Sequence, residues 1–399
     1  MIIVFLIFGA ILVWFSLKSF IGGIHYLNFF KTELARSLPE WTPFSTVICP
    51  CRGVDAGMAE NLAAILCQEY PVYEVIFVVD DEVDPAALLI KDLMGVSTVN
   101  ARLIVAPKAT DSAQKVENLR EAVIHADQRS EVFVFVDSDT RVSPTWLRHL
   151  VARVRPETVG AASGYRWFIS ERPTFASEMC SVWNASIASA LGPNTRSNFC
   201  WGGSTAMRRE VFDSVGMRDQ WKGTLSEDFA VTRGVRAAGL EIVHVPQALT
   251  ATIEPCTSRE LIEFTTRQMR ITRVYMPHLW LMSFFGSTIF CGVMVAAFLI
   301  VVLSRSNTLA VWSALTTLIV VSAFSIGKSW LRLNAIRLAL PQYEWELGRQ
   351  FLTQNTLWML APPLFLYNSI AALLSWRIVW RGTTYELKSP TETVIIRDR

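Results

Sequence analysis

Three acidic clusters stand where an α/β protein can use them. Glu74-Val-Ile-Phe-Val-Val79 runs into Asp80-Asp81, Val132-Phe-Val-Phe-Val136 runs into Asp137-Ser-Asp139, and Ser226-Glu227-Asp228 opens a helical stretch that stops at Gly239. Carboxylates at the end of a buried strand can lean toward one point. That arrangement suits a hard divalent cation, which takes oxygen ligands and leaves places for phosphates. Strand-ending Asp residues also cap a following helix, and Ser143-Pro144 reads as such a helix start. Acids at a helix N-terminus, like Glu227 and Asp228, can be caps in the same way.

Three further features could bind a ligand. Lys115 with Asn118, at a predicted helix start, suits a phosphate or a sugar, and equally a solvated surface. Gly202-Gly203-Ser204-Thr205 would bring backbone close to a ligand or make a tight turn. Arg267, Arg270 and Arg273 recur every three residues and so share roughly one helix face. Guanidinium is planar, permanently charged and bidentate, which fits a pyrophosphate. The same row would also serve membrane topology or phospholipid contact. No Ser-His-Asp or Cys-His pattern stands out, so nothing points to a covalent nucleophile.

The elements that must position these residues form an alternating series. Thr46 to Ile48, Glu74 to Val79, Ala101 to Val105 and Val132 to Val136 read as parallel strands. Met58 to Gln68, Asp84 to Leu93 and Val116 to His125 have the length and apolar spacing of crossover helices. A mostly parallel sheet binds ligands beyond the carboxyl ends of its strands, where two of the acidic clusters fall.

Composition limits what surrounds this α/β region. The chain has 399 residues, 51% hydrophobic and only 18% charged, against about 25% charge in a soluble domain, so it is not expected to be wholly soluble. Its formal charge of +2 gives no bulk field that would draw nucleic acid. Seven cysteines, without CxxC spacing, argue against a disulfide framework or a zinc site and for a reducing compartment.

The apolar residues are concentrated in four charge-free stretches, Met1 to Leu17, Leu279 to Ser304, Ser306 to Gly327 and Gln350 to Trp376. All but the first reach the roughly 20 residues that a spanning helix needs. The first lacks a basic n-region and an A-x-A site, and its apolar run resumes over Ser19 to Ile24, so it reads as an uncleaved anchor. Lys18, Lys31 and Arg36 follow the first span, Arg267, Arg270 and Arg273 precede the second, and only Arg305 lies between the second and third. This bias places the region 40–275 in the cytoplasm. Four crossings would then put the tail on the far side, against its Arg377, Arg381 and Lys388, unless Pro362-Pro363 breaks or turns back the last helix. The spans carry no internal Asp, Glu, Lys or Arg, which argues against an ion-coupled transporter.

At this point the residues carry a resemblance. Asp81, Asp137-Ser-Asp139, Glu227-Asp228 and Arg267-Gln-Met-Arg270, in that order before membrane spans, resemble the family 2 inverting glycosyltransferases of GT-A fold, in particular the ceramide glucosyltransferases. Arg52-Gly-Val-Asp55, Tyr70-Pro-Val-Tyr-Glu-Val75, Asp84-Pro-Ala86, Asp137-Ser138 and Glu227-Asp228-Phe229 are similar to that family's stretches, from about Cys49 to His278. The resemblance implies a GT-A (Rossmann-like) cytoplasmic domain over 40–275, an anchor over 1–24, about three spans over 276–381 and a tail over 382–399. It implies that Asp81 binds the uridine side of a UDP-sugar, that Asp137 and Asp139 hold Mg2+ or Mn2+, and that Asp228 is the general base, with Glu227 as its alternative. Arg267 and Arg270 match the RxxRW motif near the diphosphate and acceptor, but Ile271 replaces its Trp.

The expected reaction is transfer of a sugar, glucose in the first instance, from a UDP-sugar to the hydroxyl of a membrane lipid such as ceramide, a hopanoid-type lipid or a diacylglycerol. Tyr165-Arg-Trp-Phe168 and the stretch Trp183 to Trp201 add aromatics of the kind found at membrane interfaces, or ordinary core packing. A processive polysaccharide synthase, a polyprenyl-phosphate sugar transferase and a non-enzymatic membrane receptor are the competing readings.

Overall fold

The computed structural model describes residues 2–253, 255–304 and 307–396; Arg305 of the predicted short loop and the last three residues of the predicted tail lie outside them. The chain divides into two compact units, one built from Glu33–Glu171, Ala190–Pro255 and Trp376–Arg399, the other from Met1–Thr32, Arg172–Ser189 and Cys256–Ser375.

The first unit holds a seven-stranded sheet in the order β3-β2-β1-β4-β6-β5-β7. Its strands are β1 (Ser45–Pro50), β2 (Tyr73–Val79), β3 (Asn100–Val105), β4 (Val132–Phe135), β5 (Val159–Ile169), β6 (Thr205–Arg208) and β7 (Glu241–Ile253). β6 runs against both β4 and β5, and the other pairs are parallel. β1, β2 and β4 are buried along their whole length, which is why they are continuous apolar runs without alternation. The helices Met58–Leu66, Pro85–Val96 and Gln114–Ala122 make the crossovers, within a few residues of the predicted ones. Val47, Phe77, Leu62, Ile65, Val134 and Trp146 are among the residues of the core they enclose. The first three strands build outward from β1 and the fourth returns to its other side, so the order reverses at β1 and β4. Such a switch point opens a crevice beyond the carboxyl ends of the strands.

A second sheet closes the same unit. β8 (Arg377–Trp380), β9 (Thr383–Ser389) and β10 (Glu392–Ile396) form an antiparallel meander, so the predicted boundary between 381 and 382 falls inside a hairpin turn. That turn is Arg381-Gly382, with φ of 49° and 77°. Both residues left-handed is the two-residue turn that matches strand twist, and it favours Asn-Gly. Arginine in the first place costs about 1 kcal/mol or more.

The second unit contains most of the apolar helices. Ile2–Leu34, Pro277–Leu303, Thr308–Ala339 and Pro341–Leu374 are long and apolar enough to cross a membrane. Phe5, Leu12, Val293, Ala297, Ala314 and Val321 pack together among them, while Phe298, Leu303, Leu309 and Trp312 are exposed, as a lipid-facing surface would be. The fourth stretch is interrupted: helices Glu344–Thr356 and Ala361–Leu374 are joined by a 3-10 turn over Leu357–Leu360, next to the prolines that the sequence marks as a break. A mixed α/β body with one N-terminal and three C-terminal apolar helical stretches is the architecture expected from the sequence.

Candidate active site

The site grows from the ends of buried strands. Beyond β4 the chain turns through Asp137-Ser138-Asp139, and the neighbouring loop after β1 is tied to it. The Asn61 side-chain amide donates to the Ser138 carbonyl at 3.1 Å, and Arg141 donates to Asn61 at 3.0 Å and to the Gly57 carbonyl at 3.2 Å. Asp84, at the N-cap of Pro85–Val96, accepts from the Ala86 and Gly53 N–H groups at 2.8 and 2.9 Å, which fastens the same loop to the end of β2.

Lys115 is the centre of the acidic cluster. It projects from the first turn of Gln114–Ala122, with its Nζ 2.6 Å from Asp137 Oδ1 and 2.5 Å from Glu227 Oε1. Glu227 is 4% exposed, and burial pushes its carboxyl up to about 7 against the pull of Lys115, with Asp228 and Asp137 adding to the rise. Burial alone would lower the Lys115 ammonium, but Asp137 and Glu227 outweigh it and hold the group charged. Gly202 makes room for the pair, since a Cβ there would lie 2.1 Å from Glu227 Oε1 and 3.0 Å from Lys115 Nζ. Close approach therefore explains this glycine, and the neighbour is a site carboxylate.

Asp139 is raised by burial and next by the like charge of Asp137, while Arg166, Lys115 and Arg381 offset part of the rise. The Arg166 guanidinium lies 3.9 Å from Asp139 and over the rings of Phe168 and Trp201. Two carboxylates that repel each other at one strand end suit a cation. Among the described residues no three His, Cys, Asp or Glu side chains group closely enough to hold a metal by themselves. Asp137 and Asp139 fit a Mg2+-like ion that keeps waters and is completed by ligand phosphates.

The remaining predicted residues fall as follows. Asp228 lies beside Glu227 in the first turn of Glu227–Ala237; its Oδ1 accepts from the Phe229 N–H at 2.7 Å and from the Ser226 hydroxyl. Asp81 follows β2 and is half-exposed; the Val83 N–H, and beyond it Lys108, hold its carboxyl below the usual range. Lys108 also pairs with the buried Asp80 at 3.1 Å. Asn118 is buried and accepts from Gln114 at 2.9 Å, so it braces the helix start. Arg267 and Arg270 belong to the other unit, on the helix Ser258–Tyr275, where Arg267 lies over the Phe264 ring and Ile271 is buried. The aromatics read as interface candidates pack inside: Tyr165, Trp167, Trp183 and Trp201 are all buried.

Two contributors escape the sequence reading. Arg381, on the hairpin turn, makes a two-pronged ion pair with Asp55 of the loop after β1, one arm at 2.7 Å. Tyr385 accepts the Gln114 N–H at 3.3 Å, one residue before Lys115, at a helix start whose N-cap, Ala113, has no capping side chain. The signal was Gly382 between two short β-rich runs, since glycine is a residue that a tight hairpin turn uses.

Comparison with known proteins bears on this arrangement. A family model described as glycosyl transferase family 21 matches residues 11–393. An N-acetylglucosaminyltransferase of Rhizobium leguminosarum bv. viciae is 26% identical over 261 residues, 59% of this chain and 58% of its own length, so the chain spans little more than half of that relative. Among solved structures, the mannosyltransferase PcManGT from Pyrobaculum calidifontis, in complex with GDP-Man and Mn2+, has a TM-score of 0.49 at 17% identity and covers 92% of this chain and 99% of its own. Glucosyl-3-phosphoglycerate synthase from Mycobacterium tuberculosis, in complex with Mn2+ and UDP-glucose, has a TM-score of 0.36 at 14% identity over 59% of this chain and 84% of its own.

Proposed function

Because the chain belongs to glycosyl transferase family 21, and so transfers a sugar, we propose that it moves a hexose from a UDP-sugar to the hydroxyl of a membrane lipid, ceramide first, with inversion. The observation that carries the reading is the meeting of Asp137 and Glu227 on one ammonium beyond the sheet, with Asp139 and Asp228 one or two residues away.

Each residue has a task in this reading. Asp137 and Asp139 would hold a divalent cation that neutralises charge building on the departing UDP, commonly the largest electrostatic contribution in such reactions. Lys115 fixes Asp137 and keeps Glu227 from repelling it. Asp228 takes the proton of the attacking hydroxyl, a contribution of about 10²- to 10⁴-fold; it is more exposed than Glu227 and free of the Lys115 pair. Asp81 receives the uridine side, and Arg267 and Arg270 serve the diphosphate and acceptor on the strength of the sequence resemblance alone. Direct attack opposite the leaving group needs no covalent intermediate.

Apolar helices precede and follow the α/β segments along the chain, and a lipid hydroxyl is already concentrated where such a protein sits. The cations that flank the apolar stretches favour a cytoplasmic region over 40–275. The test is incubation of the purified chain with lipid extract and labelled UDP-glucose, UDP-galactose or UDP-N-acetylglucosamine, the last because of the relative's name, followed by mass spectrometry of the lipids. Asp137→Ala should abolish metal-dependent UDP release. Asp228→Asn should keep UDP binding and lose turnover; full turnover would favour a phosphate acceptor, which needs no base.

A further inference from the structure

We propose that Lys328 and Arg332, one turn apart on the helix Thr308–Ala339, form a binding site for the phosphate of an anionic membrane phospholipid. The site belongs to the apolar unit alone and is independent of the sugar donor.

Arg332 is 4% exposed. Its Nη2 donates to the neutral Gln354 side chain at 3.1 Å, and Gln354 donates in turn to the Ser181 hydroxyl at 3.0 Å. The Nε of Arg332 is buried and has no hydrogen-bond partner. Lys328, half-buried, donates to the Ser19 hydroxyl at 2.8 Å. Among the described residues neither cation pairs with a carboxylate, and the buried Glu178 accepts from Thr353 instead. Like charges one helical turn apart repel each other. A buried cation whose partners are all neutral is destabilising, so an anion that reaches both groups stabilises the folded chain.

Their depth points to the anion. From Thr308 to Gly327 the chain carries no charge, which matches the roughly 20 residues of a bilayer crossing. Lys328 and Arg332 therefore stand at the level of the headgroups, where phosphate is the abundant anion. Cations at such a place ordinarily stretch to water, and the burial of Arg332 departs from that. Basic pockets between membrane helices take anionic headgroups. The first apolar helix helps to form this one: a Cβ on Gly23 would lie 3.3 Å from Lys328 Cγ, so its backbone rests against the lysine stem. Nε belongs to the donor fork that fits phosphate oxygens. Two cations suit a net-anionic lipid better than a zwitterionic one, whose phosphate already has a cation of its own.

Thermal melts of the full-length chain in detergent, with phosphatidylglycerol, phosphatidylcholine or inorganic phosphate added, test the site. Phosphatidylglycerol should raise the melting temperature by a few degrees, and phosphatidylcholine should not. Arg332→Gln and Lys328→Gln should each lose most of that rise. Arg337→Gln, which removes a guanidinium paired with Glu344 at 3.2 Å, should keep it. Without lipid, Arg332→Gln should melt no lower than wild type, since it removes a buried charge and keeps an amide for Gln354. A lower melt there would make Arg332 a structural link to Gln354 and overturn the site. An equal rise with both lipids, or a full rise in both variants, also overturns it, and an equal rise with inorganic phosphate rejects the lipid as the source. Should both variants fail to fold, native mass spectrometry of the wild-type chain from mixed micelles decides. Retained phosphatidylglycerol supports the site, and a bare chain or one that keeps both lipids equally overturns it.

Discussion

Lys115 Nζ stands 2.5 Å from Glu227 Oε1, joining the start of one crossover helix to the first turn of a helix more than a hundred residues later. Removing one partner of a buried pair leaves the other charge uncompensated, which costs about 3–5 kcal/mol. Lys115→Met is therefore expected to lower the melting temperature by several degrees and to abolish turnover. Adding Glu227→Gln should recover part of the stability and none of the activity. A melting temperature of Lys115→Met equal to wild type would mean that the pair does not exist in solution.

Gly202 tests the same centre from the backbone. A methyl group there would meet Glu227 Oε1 at 2.1 Å, so Gly202→Ala must displace the carboxylate from Lys115. Turnover is expected to drop by about two orders of magnitude, the scale of a misplacement of about 1 Å near the chemistry. Gly192, whose Cβ would meet nothing, serves as the control, and Gly192→Ala should leave the rate unchanged.

What the sequence made legible follows from burial. β1, β2 and β4 are covered on both faces, so their apolar runs, and the acidic ends of β2 and β4, are visible together. β3, at the edge, alternates in exposure and is visible for the opposite reason. The far half of the sheet was not legible. β5 carries glycines at 160 and 164 with Ser163, and Gly164 is there because a Cβ would lie 2.0 Å from the Ala248 carbonyl, a contact no local pattern announces. The pairing of Lys115 with Glu227 was illegible for the same reason: each residue on its own looks like a helix-start residue, and only the fold joins them. The meander of β8 to β10 was hidden by its neighbours, since it follows an apolar stretch and reads as its polar tail.

His244 gives the α/β unit a pH dependence. It is 2% exposed on β7, and burial pulls its imidazole down to about 4, only partly offset by its hydrogen bond with the Ser163 carbonyl at 3.1 Å. An unfolded histidine titrates near 6.5. Between those values the unfolded chain binds a proton that the folded chain refuses. The contribution is thus fully present above about pH 6.5 and is lost as pH falls toward 4, about 1 kcal/mol per pH unit. Thermal melts at pH 7.5 and 5.5 should show the acidic sample melting lower. His244→Gln should narrow the gap, and an unchanged gap would assign the pH dependence elsewhere.

The C-terminal meander also fixes how the chain can be threaded through a bilayer. Arg381 pairs with Asp55, and Tyr385 accepts from the Gln114 N–H, so residues 376–396 lie on the same side as the sheet. If these apolar helices span a bilayer, the chain between Pro255 and Trp376 crosses it an even number of times. Pro277–Leu303 and Thr308–Ala339 are each longer than the roughly 20 residues a crossing needs. The stretch Pro341–Leu374, though apolar enough to cross, is broken into helices of 13 and 14 residues, and the first carries Glu344, Glu346 and Arg349. It is expected to enter and leave on one face, a broken helix at the bilayer surface. A cysteine placed at Glu60 and one placed at Ser389, each in a background with the native cysteines replaced, should react with a membrane-impermeant maleimide from the same side of sealed vesicles. A cysteine at Asn307, between the two long helices, should react only from the other side. Opposite labelling of positions 60 and 389 would require the meander to leave the sheet, and with it Arg381 to leave Asp55.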